Sequence, residues 1–163
     1  MNFSTTPSKT PDVSTLAAAI VRHKEPGSLG AFLERHYWSV LGAYTRPMLL
    51  QRGHLLIAQG DTDRNIYFIE SGNLKVDMRT HSGLVQLAII GPGNVAGEGS
   101  FFSHQTRTAS VSVYSDCKVW EMTPANFESL SKQHPTVALA LAMALGAVLA
   151  SRMLDISNRI ALT

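Results

Sequence analysis

The sequence predicts an α+β fold: an antiparallel β-roll, jelly-roll-like, flanked by N-terminal helices and followed by a long C-terminal helix. Three observations carry that prediction. Helical periodicity occupies the first and last parts of the chain. Between them, from Met48 to Met122, short apolar runs alternate with glycine turns. Helices, then strands, then helices is the order of a sheet with helices at its ends, not of alternating parallel βα units. A chain of 163 residues, 45% apolar and 16% charged, is long enough for one domain with a single ordinary core.

The elements follow in order. Residues 1–11, polar with two prolines, form a flexible tail. Residues 12–47 form a helical segment: Asp12 or Ser14 caps a first helix through Val21, and Pro26-Gly27 ends it. Ser28 caps a second, carrying Leu29, Phe32, Leu33, Tyr37, Val40 and Leu41, which stops at Arg46-Pro47. Residues 48–163 make the roll and its C-terminal helix. Candidate strands are Leu55–Ile57, Ile66–Ile69, Leu74–Val76, Val85–Ile90, Ala109–Val113 and Lys118–Trp120. Turns lie at Gln59-Gly60-Asp61, Glu70-Ser71-Gly72-Asn73, Ser82-Gly83 and Gly91-Pro92-Gly93-Asn94. Thr123-Pro124 sets a cap and a proline at the first helical position, opening a helix through Leu130. His134-Pro135 breaks it, and a long helix runs from about Thr136 to Ile160.

Composition narrows the function classes. A net charge of +2 without a basic run gives no nucleic-acid or membrane footprint. One cysteine, Cys117, excludes an intrachain disulfide and multi-cysteine metal sites. The N-terminus lacks the apolar stretch of a signal peptide. The longest apolar run, Val137 to Ala150, is too short to span a bilayer. A soluble, cytoplasmic protein is expected.

One segment concentrates chemistry. After the strand ending at Ile90, the chain turns on Gly91 and Gly93 and presents Gly97-Glu98-Gly99-Ser100. Successive backbone N–H groups there suit an anion, and glycines let a ligand approach the backbone. Nine residues after Glu98 comes Arg107, whose planar fork can hold two phosphate oxygens. The ionised Glu98 accepts hydrogen bonds only, which suits a sugar hydroxyl.

At these residues the chain resembles the cyclic-nucleotide-binding domain family, which includes the bacterial catabolite activator protein. Gly97-Glu98 and Arg107-Thr108-Ala109-Ser110-Val111 match its phosphate-binding cassette at the usual separation. Gly53, Gln59-Gly60-Asp61 and Ile66–Val76 look like its first turn and second hairpin, and the resemblance spans about Met48 to Ile160. It implies that Arg107 binds the cyclic phosphate and Glu98 the 2′-hydroxyl. The N–H groups of Gly99 and Ser100 complete the cradle, and Thr108 lies between phosphate and base. Replacing Arg107 or Glu98 is then expected to cost ligand contacts and leave the fold intact. Two departures stand out: Gly99-Ser100 replaces a more apolar pair, and Thr106 stands where proline is common.

The resemblance also gives the C-terminal helix a role as lid and dimer contact. Leu139, Met143, Gly146, Ala147, Ala150, Met153, Ser157 and Ile160 fall near one face. Arg152 interrupts the pattern where relatives place residues near the base; it is either a base contact or a solvated side chain. No helix-turn-helix follows Thr163, so direct DNA binding is not expected, and an effector protein in trans is. The ligand expected is a cyclic nucleotide, cyclic AMP first and cyclic GMP second, with no cofactor and no metal. Two alternatives stand beside this sensor: a ligand-free dimeric scaffold and a cyclic dinucleotide sensor. A cupin-type metalloenzyme is disfavoured because the histidines are scattered, and catalysis at Cys117 because no histidine neighbours it in sequence.

Overall fold

The computed structural model describes residues 10–161, so most of the tail expected over residues 1–11 lies outside the described residues. Helix α1 spans Ser14–Arg22 and is followed by two 3-10 turns, Leu29–Ala31 and Arg35–Tyr37. A single α-turn, α2 (Trp38–Leu41), then runs into a third 3-10 turn, Gly42–Tyr44. The sheet comprises β1 (Arg46–Leu50), β2 (Leu55–Ile57), β3 (Ile66–Thr80), β4 (Gly83–Ile90), β5 (Val95–Ala96) and β6 (Ser110–Met122). The short helix α3 (Glu98–Ser103) lies between β5 and β6, and α4 (Pro124–Gln133) and α5 (Pro135–Ala161) follow. All strand pairs are antiparallel, in the order β1-β6-β3-β4, with β2 on β6 and β5 on β3. The expected α+β roll, with helices before and after the strands, is therefore observed.

The second helix expected from Ser28 does not form as one element. Gly30 packs so closely on the end of α1 that a Cβ there would sit 1.9 Å from the Ile20 carbonyl oxygen. Ser28 does not cap; its hydroxyl lies 2.7 and 2.8 Å from the carbonyl oxygens of His23 and Glu25, which share its one proton, and closes the preceding turn. At α1, Val13 occupies the cap position, while the Asp12 carboxylate accepts from the Ser14 N–H at 2.9 Å. By contrast, Thr123 caps α4 as expected: its hydroxyl accepts from the Asn126 N–H at 3.1 Å.

Two longer strands replace four of the expected short ones, and β1 and β5 are strands that were not expected. Ile66–Ile69 and Leu74–Val76 belong to the single 15-residue β3, and Ala109–Val113 and Lys118–Trp120 merge into β6, which begins at Ser110. The turn expected at Glu70–Asn73 is a bulged bend within β3, where pairing with β6 shifts register three times. Gly72 sits there at φ 80°, and a Cβ would lie 2.2 Å from the Asp116 carbonyl oxygen. Pairwise twist and close approach bend the strand without ending it. Pro47 stands in β1, an edge strand among the described residues, where a proline is tolerated.

Two buried clusters result. One joins α1, the 3-10 turns, α4 and α5 to one face of the sheet through Leu16, Ile20, Trp38, Phe68, Trp120, Leu130, Leu141 and Leu145. The other fills the roll with Leu50, Ile57, Tyr67, Ile69, Leu74, Val111, Val113 and Val119. By length and composition α5 could cross a bilayer, although its Ala138, Leu141, Ala144, Leu145 and Val148 are buried in the first cluster. Its last nine described residues, from Met153 to Ala161, are all exposed.

Candidate functional site

The roll opens beside its inner cluster into a cavity of about 260 Å³. Ile57, Val76, Ala88, Ile90 and Val111 give it apolar walls. Gly97, Glu98, Gly99, Ser100, Arg107, Thr108 and Arg152 supply the rest of the lining with Ala96 and Ala109. All seven residues singled out from the sequence thus meet at one place, brought there by β5, α3, the start of β6 and α5.

Arg107 is only 3% exposed. Its Nε and Nη2 donate to the two Asp63 carboxylate oxygens at 3.3 and 2.6 Å. Nη2 also donates to the Asn65 carbonyl at 2.7 Å, and Nη1 to the Gly97 carbonyl at 2.9 Å. The backbone repeats the connection, since the Arg107 N–H donates to the Asp61 carbonyl and the Arg107 carbonyl accepts from Gly60, both at 2.8 Å. Arg107 therefore braces the loop between β2 and β3 against the start of α3. The expectation that it is only a ligand contact is corrected. Its fork is taken by protein acceptors, and of its donors one Nη1 hydrogen remains for another partner. The Arg107 guanidinium beside Asp63 holds that carboxyl below its ordinary value, the hydrogen bond outweighing partial burial.

Gly97 makes this brace possible. It precedes α3 at φ 89°, a conformation that L side chains rarely adopt. A Cβ would lie 2.6 Å from the Asn65 carbonyl oxygen and 2.9 Å from Arg107 Nη1. A Cβ at Gly99, by contrast, would meet nothing within 4 Å.

Glu98 is 5% exposed, and its carboxylate accepts from Arg152 Nη1, while Arg152 Nη2 donates to the Val95 carbonyl at 2.9 Å. Neither sequence reading of Arg152 describes this: it is half-buried and ion-paired to the cassette carboxylate. Thr108 is exposed at the rim, and Ser100 is buried. Asp63 and Asn65 are the residues that sequence reasoning missed. They lie outside the cassette motif, and only the fold of the β2–β3 loop brings them to Arg107.

Among the described residues no three of His, Cys, Asp and Glu converge as metal ligands would. The Cys117 thiol is buried and donates to the carbonyls of Ser115 and Asn73, and burial pushes it above its ordinary value.

The model of the cyclic nucleotide-binding domain matches residues 47–134, more than half of the chain. The chain belongs to the cyclic nucleotide-binding domain family. The domain is 27% identical over 145 residues to the CRP-like cAMP-activated global transcriptional regulator of Mycobacterium tuberculosis, covering 88% of this chain and 59% of that protein. It is 31% identical over 113 residues to the cyclic AMP receptor protein of Thermus thermophilus, covering 68% and 50%. It spans 59% and 50% of the length of these two relatives. Its fold matches a crystallised cyclic nucleotide-binding domain from Methylobacillus flagellatus with a TM-score of 0.80 at 17% identity, covering 91% of this chain and 84% of that one.

Proposed function

We propose that the domain is a regulatory sensor that binds one cyclic mononucleotide, cyclic AMP first and cyclic GMP second, and signals to a partner protein in trans. The carrying observation is the meeting of a buried guanidinium and a buried carboxylate, Arg107 and Glu98, in one small cavity with the glycine-flanked start of α3. In this reading the cyclic phosphate takes the remaining Nη1 hydrogen of Arg107 and the N–H groups of Gly99 and Ser100. The sugar 2′-hydroxyl donates to Glu98, Thr108 lies at the rim between phosphate and base, and Arg152 reaches the site from α5. No step of catalysis is assigned to these residues; the role is binding.

The same reading makes the domain a homodimer through α5. Leu139, Met143, Gly146, Ala150, Met153, Ser157 and Ile160 are all exposed and alternate by four and three residues, the 3.5-residue period of a coiled-coil seam. Leu139, Met143, Met153 and Ile160 are each 63–70% exposed, a stripe of a kind that calls for a partner helix. Ala147 lies half-buried, off that stripe.

A thermal-shift panel of cyclic mono- and dinucleotides tests the ligand. At a hundred times its dissociation constant a ligand stabilises the fold by about 2.7 kcal/mol. A shift with a mononucleotide is expected; no shift with any member at millimolar concentration refutes the sensor and favours the scaffold.

A further inference from the structure

A second pocket, of about 280 Å³, borders α3 and shares no lining residue with the cassette cavity. The cavity takes the start of α3, Glu98 to Ser100; the pocket takes Phe101 and Phe102 further along, and His104 just past its end. Pro124 and Phe127 of α4 and Ala142 of α5 add to an apolar wall. Phe101 stands edge-on to both Phe102 and Phe127, with ring centroids 5.4 and 5.1 Å apart, and Phe102 is 40% exposed. The remaining lining residue is a cation, Arg64, and no carboxylate lines the pocket. Among the described residues three arginines are not exposed: Arg64, Arg107 and Arg152. Arg107 is paired with Asp63 and Arg152 with Glu98, whereas no salt bridge among the described residues includes Arg64. Its Nη1 lies 2.7 Å from His104 Nε2 instead. Arginine has no acceptor, so Nε2 accepts, and a ring that accepts there is neutral and brings no negative charge.

We propose that this pocket is a second small-molecule site, for a monocarboxylate carried on a compact apolar body. A half-buried guanidinium with no anion beside it is the charge that the fold leaves uncompensated, and one such charge suits a ligand with one negative group. His104 uses one of the five guanidinium hydrogens, so the planar fork keeps donors for both oxygens of a carboxylate. The body of the ligand lies against the open face of Phe102, between α3 and the helices α4 and α5, where it removes aromatic surface from water. His104 orients Arg64 and touches no ligand atom in this arrangement, so it is a positioning residue. The site does not depend on the cyclic nucleotide, whose residues lie in the other cavity.

Phenylacetate, one carboxylate on one ring, is the probe, titrated into the whole chain and followed by backbone amide chemical shifts. Saturable shifts are expected at Phe101, Phe102, His104, Phe127 and Ala142. Phenylacetamide, which has the same body without the charge, should bind about tenfold more weakly, and so should phenylacetate to Arg64→Gln. Acetate, which has the charge without the body, should give no saturable shift at these residues. Arg64→Lys, which keeps the charge and loses the fork, should fall between the glutamine variant and the parent. Cyclic AMP should leave the phenylacetate shifts in place. The comparison of acid with amide needs no variant, so it stands even if a substitution unfolds the chain. A parent with no saturable shift at tens of millimolar phenylacetate overturns the site. So does a parent that binds the amide as tightly as the acid, or a folded Arg64→Gln protein that binds phenylacetate as the parent does. A probe that cyclic AMP displaces occupies the cassette cavity and overturns the second site too.

Discussion

Replacing Arg107 by alanine should damage the protein twice, and the two effects can be measured separately. Without ligand, the change leaves the carbonyls of Gly97 and Asn65 without their donors, which sit at 2.9 and 2.7 Å. A buried polar group left unpaired costs about 1–3 kcal/mol. The Asp63 side chain is 41% exposed and rehydrates, so its loss adds little. A destabilisation of about 2–4 kcal/mol is expected, which for a chain of this length lowers the melting midpoint by about 5–15 °C. With ligand, the phosphate loses its only cationic partner in the cassette, and binding should weaken by about 2–5 kcal/mol, at least about 30-fold. Arg107→Lys keeps the charge but cannot serve Asp63 and two carbonyls from one head group, so it should fall between parent and alanine in both measurements. Urea unfolding and calorimetric titration of the same preparations separate the effects. An alanine variant that melts within about 1 °C of the parent refutes the brace. One that binds cyclic AMP as the parent does shows that the cassette is not the site.

Three further outcomes follow from the same geometry. Because Arg107 lowers the Asp63 carboxyl below its ordinary value, the pair stabilises the fold fully above pH 3.8, and that contribution is lost as pH falls through the lower folded-state value; Asp63→Asn should flatten unfolding free energy against pH in that range. Gly97→Ala should destabilise by about 1–3 kcal/mol through its positive φ and the 2.6 Å approach to Asn65, whereas Gly99→Ala, in open space inside α3, should raise stability by about 0.5–1 kcal/mol; equal effects in chemical denaturation would refute the difference. Met143→Glu should turn a dimer into a monomer in sedimentation while keeping the parent's melting behaviour as a monomer, because Met143 is 68% exposed; a parent that sediments as a monomer at tens of micromolar rejects the seam.

Local chemistry determined much of this protein. The glycine-punctuated apolar runs announced a roll, Thr123-Pro124 announced the start of α4, and Gly97-Glu98 with Arg107 announced the cassette, because each acts over a few residues of chain. The Thr123 cap and the cassette spacing are short-range properties, so sequence alone carries them, whereas the caps expected at α1 and at Ser28 did not form. The tertiary structure decided what depends on distant segments meeting. Ser28 read as a cap and Leu29 to Leu41 as one helix by periodicity, yet the close packing of Gly30 onto α1 breaks the segment into 3-10 turns and one α-turn. Gly72 read as a hairpin turn, yet pairing with β6 keeps the chain in one strand through the bend. Arg107, Glu98 and Arg152 were singled out, but Asp63 and the pairing of Arg152 with Glu98 were not, because these partners stand 44 and 54 residues away in sequence. A buried charge is stable only beside an opposite one. Which residue supplies that charge depends on how the β2–β3 loop and α5 cross the cassette, and no periodicity or motif in the chain encodes that crossing.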